Sequence, residues 1–261
     1  KPVNAPLTYS MWAPGGGTNA ILAPSSASAG NGWPDVAFDR GSGNISAVWM
    51  FLGGSGGSTT SGIQYSEWSG TAWSPPVTLY QIVTPPPVPP APSTPVYNFN
   101  PVVAVDVSGT VLVAWRSFVY GPGTSNSVLG RTRVNGVWSP ALTSPPAVIA
   151  TLPTDDMLDI HSIDIAFSTN QTPGGVTRHQ AMLVWQQLAA IYPVVCDPGP
   201  PPITTDFDHF KTYYSLWNGN AWGPAAVIPG QADPVPYNIN GGTEIGVSSD
   251  QFGNVRVVWS E

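Results

Sequence analysis

A strand–turn–strand phrase ending on tryptophan occurs four times along this chain, and that recurrence restricts the possible folds more than any other feature. Its clearest copy is Pro101-Val102-Val103-Ala104-Val105-Asp106-Val107-Ser108-Gly109-Thr110-Val111-Leu112-Val113-Ala114-Trp115. The Asp at the head of the turn can accept hydrogen bonds from its own backbone, and Gly supplies the positive φ that closes it. Two further copies run from Val36 through Asp39 to Trp49 and from Ile245 through Asp250 and Gly253 to Trp259. A divergent one joins Ile163–Phe167 to Ala181–Trp185 through a longer turn. The closing tryptophans stand at 49, 115, 185 and 259, so the period is 66 to 74 residues. A period of this length marks a repeat architecture.

A second phrase follows the first in three repeats: Gln64 to Pro75, Arg133 to Pro140 and Tyr214 to Pro224, each a strand, a Gly-containing turn and another strand. In two of them the turn is Asn-Gly, the strongest short hairpin signal. Each repeat then holds four antiparallel strands, which predicts an all-β protein built as a β-propeller. The chain ends after only two strands of its last repeat, while Leu7-Thr8-Tyr9-Ser10-Met11-Trp12 at its start matches the third-strand phrases Tyr65–Trp68 and Tyr214–Trp217. Three whole blades (about 31–82, 97–143 and 160–229) plus a split one (237–261 with 7–23) predict four blades in a single domain, 1–261, closed by pairing of the terminal segments. Closure of that kind removes exposed sheet edges.

Eleven tryptophans and the strand pattern argue against disorder despite 28 Gly and 30 Pro. Only 9% of residues are charged, against about 25% in ordinary soluble domains. With 8 basic and 15 acidic residues there is no basic stripe for nucleic acid. No run of 18 apolar residues is present to span a membrane as a helix. The opening Lys1-Pro2-Val3 reads as a processed start. Two sequons, Asn44-Ile45-Ser46 and Asn170-Gln171-Thr172, are patterns short enough to arise by chance; a composition poor in Lys and Glu and rich in Ser, Thr, Gly and Pro is what points to an extracellular or cell-surface setting. The lone Cys196 has no internal disulfide partner, leaving an intermolecular bond or a buried thiol.

The Asp-turn-Gly-strand-Trp phrase and the Trp-Xaa-Gly-Xaa-Xaa-Trp-Ser hairpin resemble the blade repeats of sialidase-like and propeller-lectin families. The resemblance covers nearly the whole chain, but only in its blades. The sialidase-type turn has Gly two residues after Asp, whereas Gly109 and Gly253 stand three after Asp106 and Asp250. A sialidase-like site implies an arginine cluster, an acid and a Tyr–Glu pair. Here the glutamates are only 67, 244 and 261, and the arginines fall at unequal blade positions. No catalytic residue is nominated, no carboxylate pair for a glycosidase emerges, and the chain is expected not to be an enzyme.

The connections between second and third strands (51–62, 117–127, 188–206) and between blades (82–96, 143–160) read as long loops on one face of the disc. Binding is expected there, since loops on a rigid scaffold carry function. The tryptophans inside strands, together with Asp39, Asp106, Gly109, Asp250 and Gly253, read as structural repeat positions. Trp33, outside the repeated positions, is the stronger binding candidate, with Pro87, Pro89, Tyr120 and Tyr192 on the long connections. Asp155, Asp156, Asp206 and Asp208 form an acidic group that Ca²⁺ could use, although solvated loop carboxylates are the simpler reading and no cofactor is otherwise implied.

Scarce charge and Pro-stiffened apolar loops lead to a non-enzymatic structural protein whose copies assemble into a surface layer, sheath or filament. The alternative is a carbohydrate-binding propeller lectin that draws avidity from repeated weak sites.

Overall fold

A computed structural model describes residues 7–11, 18–23, 29–86, 96–119, 125–152, 162–171, 177–197, 203–231, 245–250 and 254–259; at 7, 9–11, 18–23, 29, 125, 152, 169–171, 177–179, 188–197 and 203–210 it describes the backbone alone. Every regular element among them is a β-strand, and every pairing is antiparallel. The chain divides into two compact units, Lys1–Thr154 and Asp155–Glu261.

In the first unit, β1 (Leu7–Met11) and β2 (Thr18–Ala23) form a hairpin. Next comes a four-stranded sheet in sequence order: β3 (Ala29–Phe38), β4 (Ile45–Gly53), β5 (Thr59–Trp68) and β6 (Val77–Thr84). A second sheet repeats that order with β7 (Val96–Val105), β8 (Val111–Val119) and β9 (Ser125–Val134), and its outer position is shared by β10 (Val137–Ser139) and β11 (Ala147–Leu152). The second unit holds a sheet of β12 (Ile163–Gln171), β13 (Thr177–Asp197), β14 (Ile203–Trp217) and β15 (Ala226–Val227), and a hairpin of β16 (Ile245–Ser249) and β17 (Val255–Trp259).

The first-hairpin turns of the first, second and fourth repeats follow from their residues. Asp106 Oδ1 accepts hydrogen bonds from the Ser108 and Thr110 amides, both within 2.9 Å, and Gly109 closes the turn at φ +78°. Asp39 does the same for the Gly41 amide, and Asp250 for Asn254. A carboxylate that satisfies orphan amides locally makes each hairpin self-contained.

Period-two alternation then decides which face each strand buries. Val48, Met50, Ile63, Tyr65 and Leu79 of the first sheet pack against Val103, Val111, Val113, Trp115 and Leu129 of the second. Burial of an aliphatic or aromatic side chain of this size contributes about 1.5–3 kcal/mol. Ala37 of β3 lies on the same inner face. Val36 and Phe38 alternate with it and are 63% and 59% exposed. In the second unit Ile163, Ile165, Phe167, Ala181, Leu183, Val184, Trp185 and Trp217 are buried.

One polar device recurs between neighbouring sheets. Asp35, four residues before Asp39, accepts the Val103 amide of β7 at 2.8 Å. Asp164, at the matching place in β12, accepts the Val247 amide of β16 at 2.7 Å. In each case the donor lies three residues before the next repeat's turn Asp. The corresponding positions in the second and fourth repeats are Val102 and Gly246, so latched sheets come in pairs. Burial raises the Asp164 pKa, and the Val247 and Ile165 amides counter it only in part.

Two expectations about strand placement are corrected. The turn after β5 returns through a single Trp68–Trp73 bridge, not a full fourth strand; that strand is β6, further on, and Trp217–Trp222 before β15 repeats the arrangement. The connections between second and third strands are not long loops either. β4 and β5 remain paired as far as Gly53–Thr60, and β13 pairs with β14 out to Asp197–Ile203. Pairing supplies ladder partners for backbone groups that an open loop would have to satisfy with water. The terminal hairpins β1–β2 and β16–β17 stand as separate two-stranded sheets among the described residues.

Candidate functional site

The sequence-nominated residues separate into distinct environments. Trp49, Trp115 and Trp185 have no exposed surface; their indole N–H groups donate to Gln64, Asn98 and Gln187. Trp259 is half-buried. Trp73 covers Trp49 and Ala47, Trp138 meets Tyr65 edge-on at 5.1 Å, and Trp185 stacks on Tyr213. Trp33 is 43% exposed and meets Phe99 edge-on at 5.4 Å; Phe99 in turn stacks on Tyr97, and Arg116 lies over the Phe99 and Phe118 rings. The Trp33 backbone has φ +45°, and Asn100, six residues before its own turn Asp as Trp33 is, has φ +46°. Both sit where the ladder shifts register, at 32–35 and 99–102. The left-handed backbone at Trp33 therefore belongs to a repeated bulge, a device that bends a strand at a fixed place.

Pro87, Pro89, Tyr120, Asp155, Asp156 and Gly253 lie outside the described residues, and at Tyr192, Asp206 and Asp208 only the backbone is described. Those three fall within the paired part of β13 and β14, where Tyr192 opposes Phe207 and Asp206 opposes Pro193. Among the described residues no group of three or more His, Cys, Asp or Glu could hold a metal.

Two surfaces stand out that no local motif announces. The first is a pair of sheet edges. β6 (Val-Thr-Leu-Tyr-Gln-Ile-Val-Thr) and β11 (Ala-Val-Ile-Ala-Thr-Leu) are the outermost strands of their sheets, and neither carries a charged residue. Val83 and Val148 on them are 55% and 62% exposed. Pro75-Pro76, Pro85-Pro86 and Pro145-Pro146 bound these strands in sequence.

The second is a polar cleft of about 410 Å³ in the first unit, lined by the Asp39–Asn44 turn, Glu67, the Val107–Gly109 turn, Arg133 and the Asn135-Gly136 turn. Arg133 Nη1 donates to Glu67 Oε2 at 2.7 Å and to the Tyr65 hydroxyl, and Asn44 Nδ2 donates to Glu67 Oε1 at 3.1 Å. Burial alone would lower the Arg133 pKa, but the Glu67 hydrogen bond and the nearby Tyr65 and Glu67 outweigh it and raise it. Gly41 fits against the Val107 carbonyl, where a Cβ would come to 2.4 Å, so the two adjoining turns are held in close register. The cleft is formed by the short turns, opposite in topology to the connections expected to carry binding.

No protein-family model matches the chain, and no curated protein is similar to it in sequence. The likeness to sialidase-like and lectin propellers rests on the blade phrases alone.

Proposed function

We propose that the chain is a non-enzymatic structural protein of the extracellular space or cell surface, whose copies join through their outer strands into a layer, sheath or filament. One observation carries this reading: β6 and β11 are the outermost strands of their sheets among the described residues and present exposed valines with no charge on either strand. Natural proteins normally blunt such edges with lysine, inward-pointing charge or cover, because an open edge templates pairing with another chain. The scarcity of charge extends to the whole sequence, at 9% of residues. Prolines before and after these strands would limit growth of the ladder along each edge while leaving its centre open.

The same reading includes a closed ring of four blades, with β1–β2 completing the sheet begun by β16–β17. Two features support closure. The β1 sequence matches the third strands of the other repeats, and Val36 and Phe38 leave the face of the first sheet turned away from β7 apolar and open. A fourth blade would cover that face and leave the sheet edges as the surface for assembly.

The test is charge placed on the edge. Thr78→Lys with Val83→Lys on β6, and Val148→Lys on β11, alter exposed side chains only. The wild type is expected to run as large species by light scattering, and the combined variant as a monomer with an unchanged far-ultraviolet spectrum. A wild-type protein that stays monomeric at high concentration across salt and pH overturns the proposal.

A further inference from the structure

The polar cleft of the first unit has a composition that selects its ligand. Asp39, Ser42, Asn44, Glu67, Ser108, Arg133 and Asn135 bring hydroxyl, amide, carboxylate and guanidinium groups to one space of about 410 Å³, within the range of about 300–1,000 Å³ typical of small-molecule sites. Val107, half exposed, is its single larger apolar side chain.

Elimination narrows the ligand class. A phosphate or carboxylate would meet two carboxylates, and the one cation in the cleft is already paired with Glu67 at 2.7 Å. A metal ion would need several free oxygens. Asp39 instead accepts hydrogen bonds from the Gly41 amide and the Ser42 hydroxyl, and Glu67 accepts from Asn44 and Arg133. An apolar ligand would cover the Glu67 and Arg133 charges and the Asn44 and Asn135 amides without offering them hydrogen bonds. What remains is a neutral molecule with many hydroxyl groups: each carboxylate oxygen, with one hydrogen bond accepted, has a second lone pair for a hydroxyl, and the Asn and Arg groups have further N–H donors. The ion pair and amide are already oriented by mutual hydrogen bonds, so little side-chain ordering is left to oppose binding.

We infer that this cleft binds one neutral sugar residue of a glycan chain, held by Asn135, Ser108 and the Asn44–Glu67–Arg133 group. None of its lining residues belongs to β6 or β11, so the inference stands apart from edge assembly, and failure of either leaves the other in place.

The experiment uses the full chain with three neutral probes, maltotriose, cellotriose and N,N′,N″-triacetylchitotriose, and inorganic phosphate as the anionic comparison. Binding is read by titration calorimetry and by amide chemical shifts at Gly41, Ser108 and Gly136. Asn135→Gly keeps the left-handed turn (φ +49° at Asn135) while deleting the side chain; Ser108→Ala removes a hydroxyl that also donates to Asp106 Oδ1 at 2.7 Å, so the Asn135→Gly variant is read alone as well. At least one sugar is expected to bind saturably in the millimolar range or tighter, with shifts confined to the three turns. The double variant should weaken it at least tenfold with the fold intact. Absence of saturable binding by all three sugars, tighter binding of phosphate, or unchanged affinity in the double variant overturns the assignment.

Discussion

Arg131 offers the sharpest test of how the first unit is held together. It lies on β9 with almost no exposed surface, yet no carboxylate partner accompanies it in its hydrogen bonds. Its Nε donates to the Leu79 carbonyl of β6 at 2.7 Å, its Nη1 to the carbonyls of Pro140 and Ala141, and its Nη2 to that of Ser144. One side chain therefore stitches the outer strand of the first sheet to the second and also pins the segment between β10 and β11. Burial lowers its pKa from the usual arginine value, the mark of an unfavourable desolvation that the four carbonyls offset. Hydrogen bonds to a charged group are worth about 1.5–3 kcal/mol each, so the gross interaction is roughly 6–12 kcal/mol. The effective cost of removing an ion from water is several kcal/mol, which leaves a net loss of about 3–5 kcal/mol for Arg131→Met. In a unit of this size that lowers Tm by roughly 6–20 °C. Arg131→Lys keeps the charge but cannot fork to four carbonyls, so it should recover little of the loss. Thermal and urea unfolding followed by circular dichroism measure both. A loss under about 1 kcal/mol for Arg131→Met refutes the reasoning, since it means the carbonyls are satisfied equally well without the guanidinium.

Three further outcomes are expected. Asp164 has a raised pKa in the fold, so the folded state binds its proton more readily; its contribution to stability is greatest below the unfolded value near 3.8 and falls as pH rises through the folded value. Asp164→Asn keeps an acceptor for the Val247 amide and should remove that slope, measured by urea unfolding between pH 3 and 6, from about one unit below to about two units above the ordinary aspartate value; an unchanged slope contradicts the assignment. Gly41→Ala drives a Cβ to 2.4 Å from the Val107 carbonyl and should cost about 1–3 kcal/mol while shifting cleft resonances; a neutral effect would show that the two turns are not in contact. For ring closure, Ala47 opposes Ser66 and Leu183 opposes Ser215, so the matching Val257 and Ser10 should face each other. In a Cys196→Ser background, Ser10→Cys with Val257→Cys is expected to form an intramolecular disulfide on mild oxidation; exclusively intermolecular bonds would point to an open chain.

The hairpins were legible because their determinants are local: Asp106, Ser108 and Gly109 settle the turn within a few residues. The alternation of Val111–Trp115 with Val103 and Val105 across that turn fixes the register. Strand positions further out were less so. The Trp-Ser-Pro phrase after Trp68 suggested a strand of its own, whereas its prolines break the ladder and postpone pairing to Val77. The stretch from Leu188 to Asp206 reads as a loop on its prolines and glycine, yet Ile191, Val194, Val195, Thr204 and Thr205 favour the paired ribbon that forms. The cleft escaped entirely because Asp39, Glu67, Val107 and Arg133 come from four separate turns and strand ends. Only the equivalence of turn positions in adjacent repeats could have brought them together. The sheet-to-sheet latch had a visible signal, aspartate four residues before the turn in the first repeat and at the matching place in the third.

The most direct measurement of edge assembly is the mass of the purified chain in solution, by light scattering across concentration, salt and pH, with electron microscopy of the same samples. Edge assembly gives species of many times 27.4 kDa, ordered in images, that fall to the single-chain mass when lysines occupy β6 and β11. A uniform 27.4 kDa particle under every condition would contradict it.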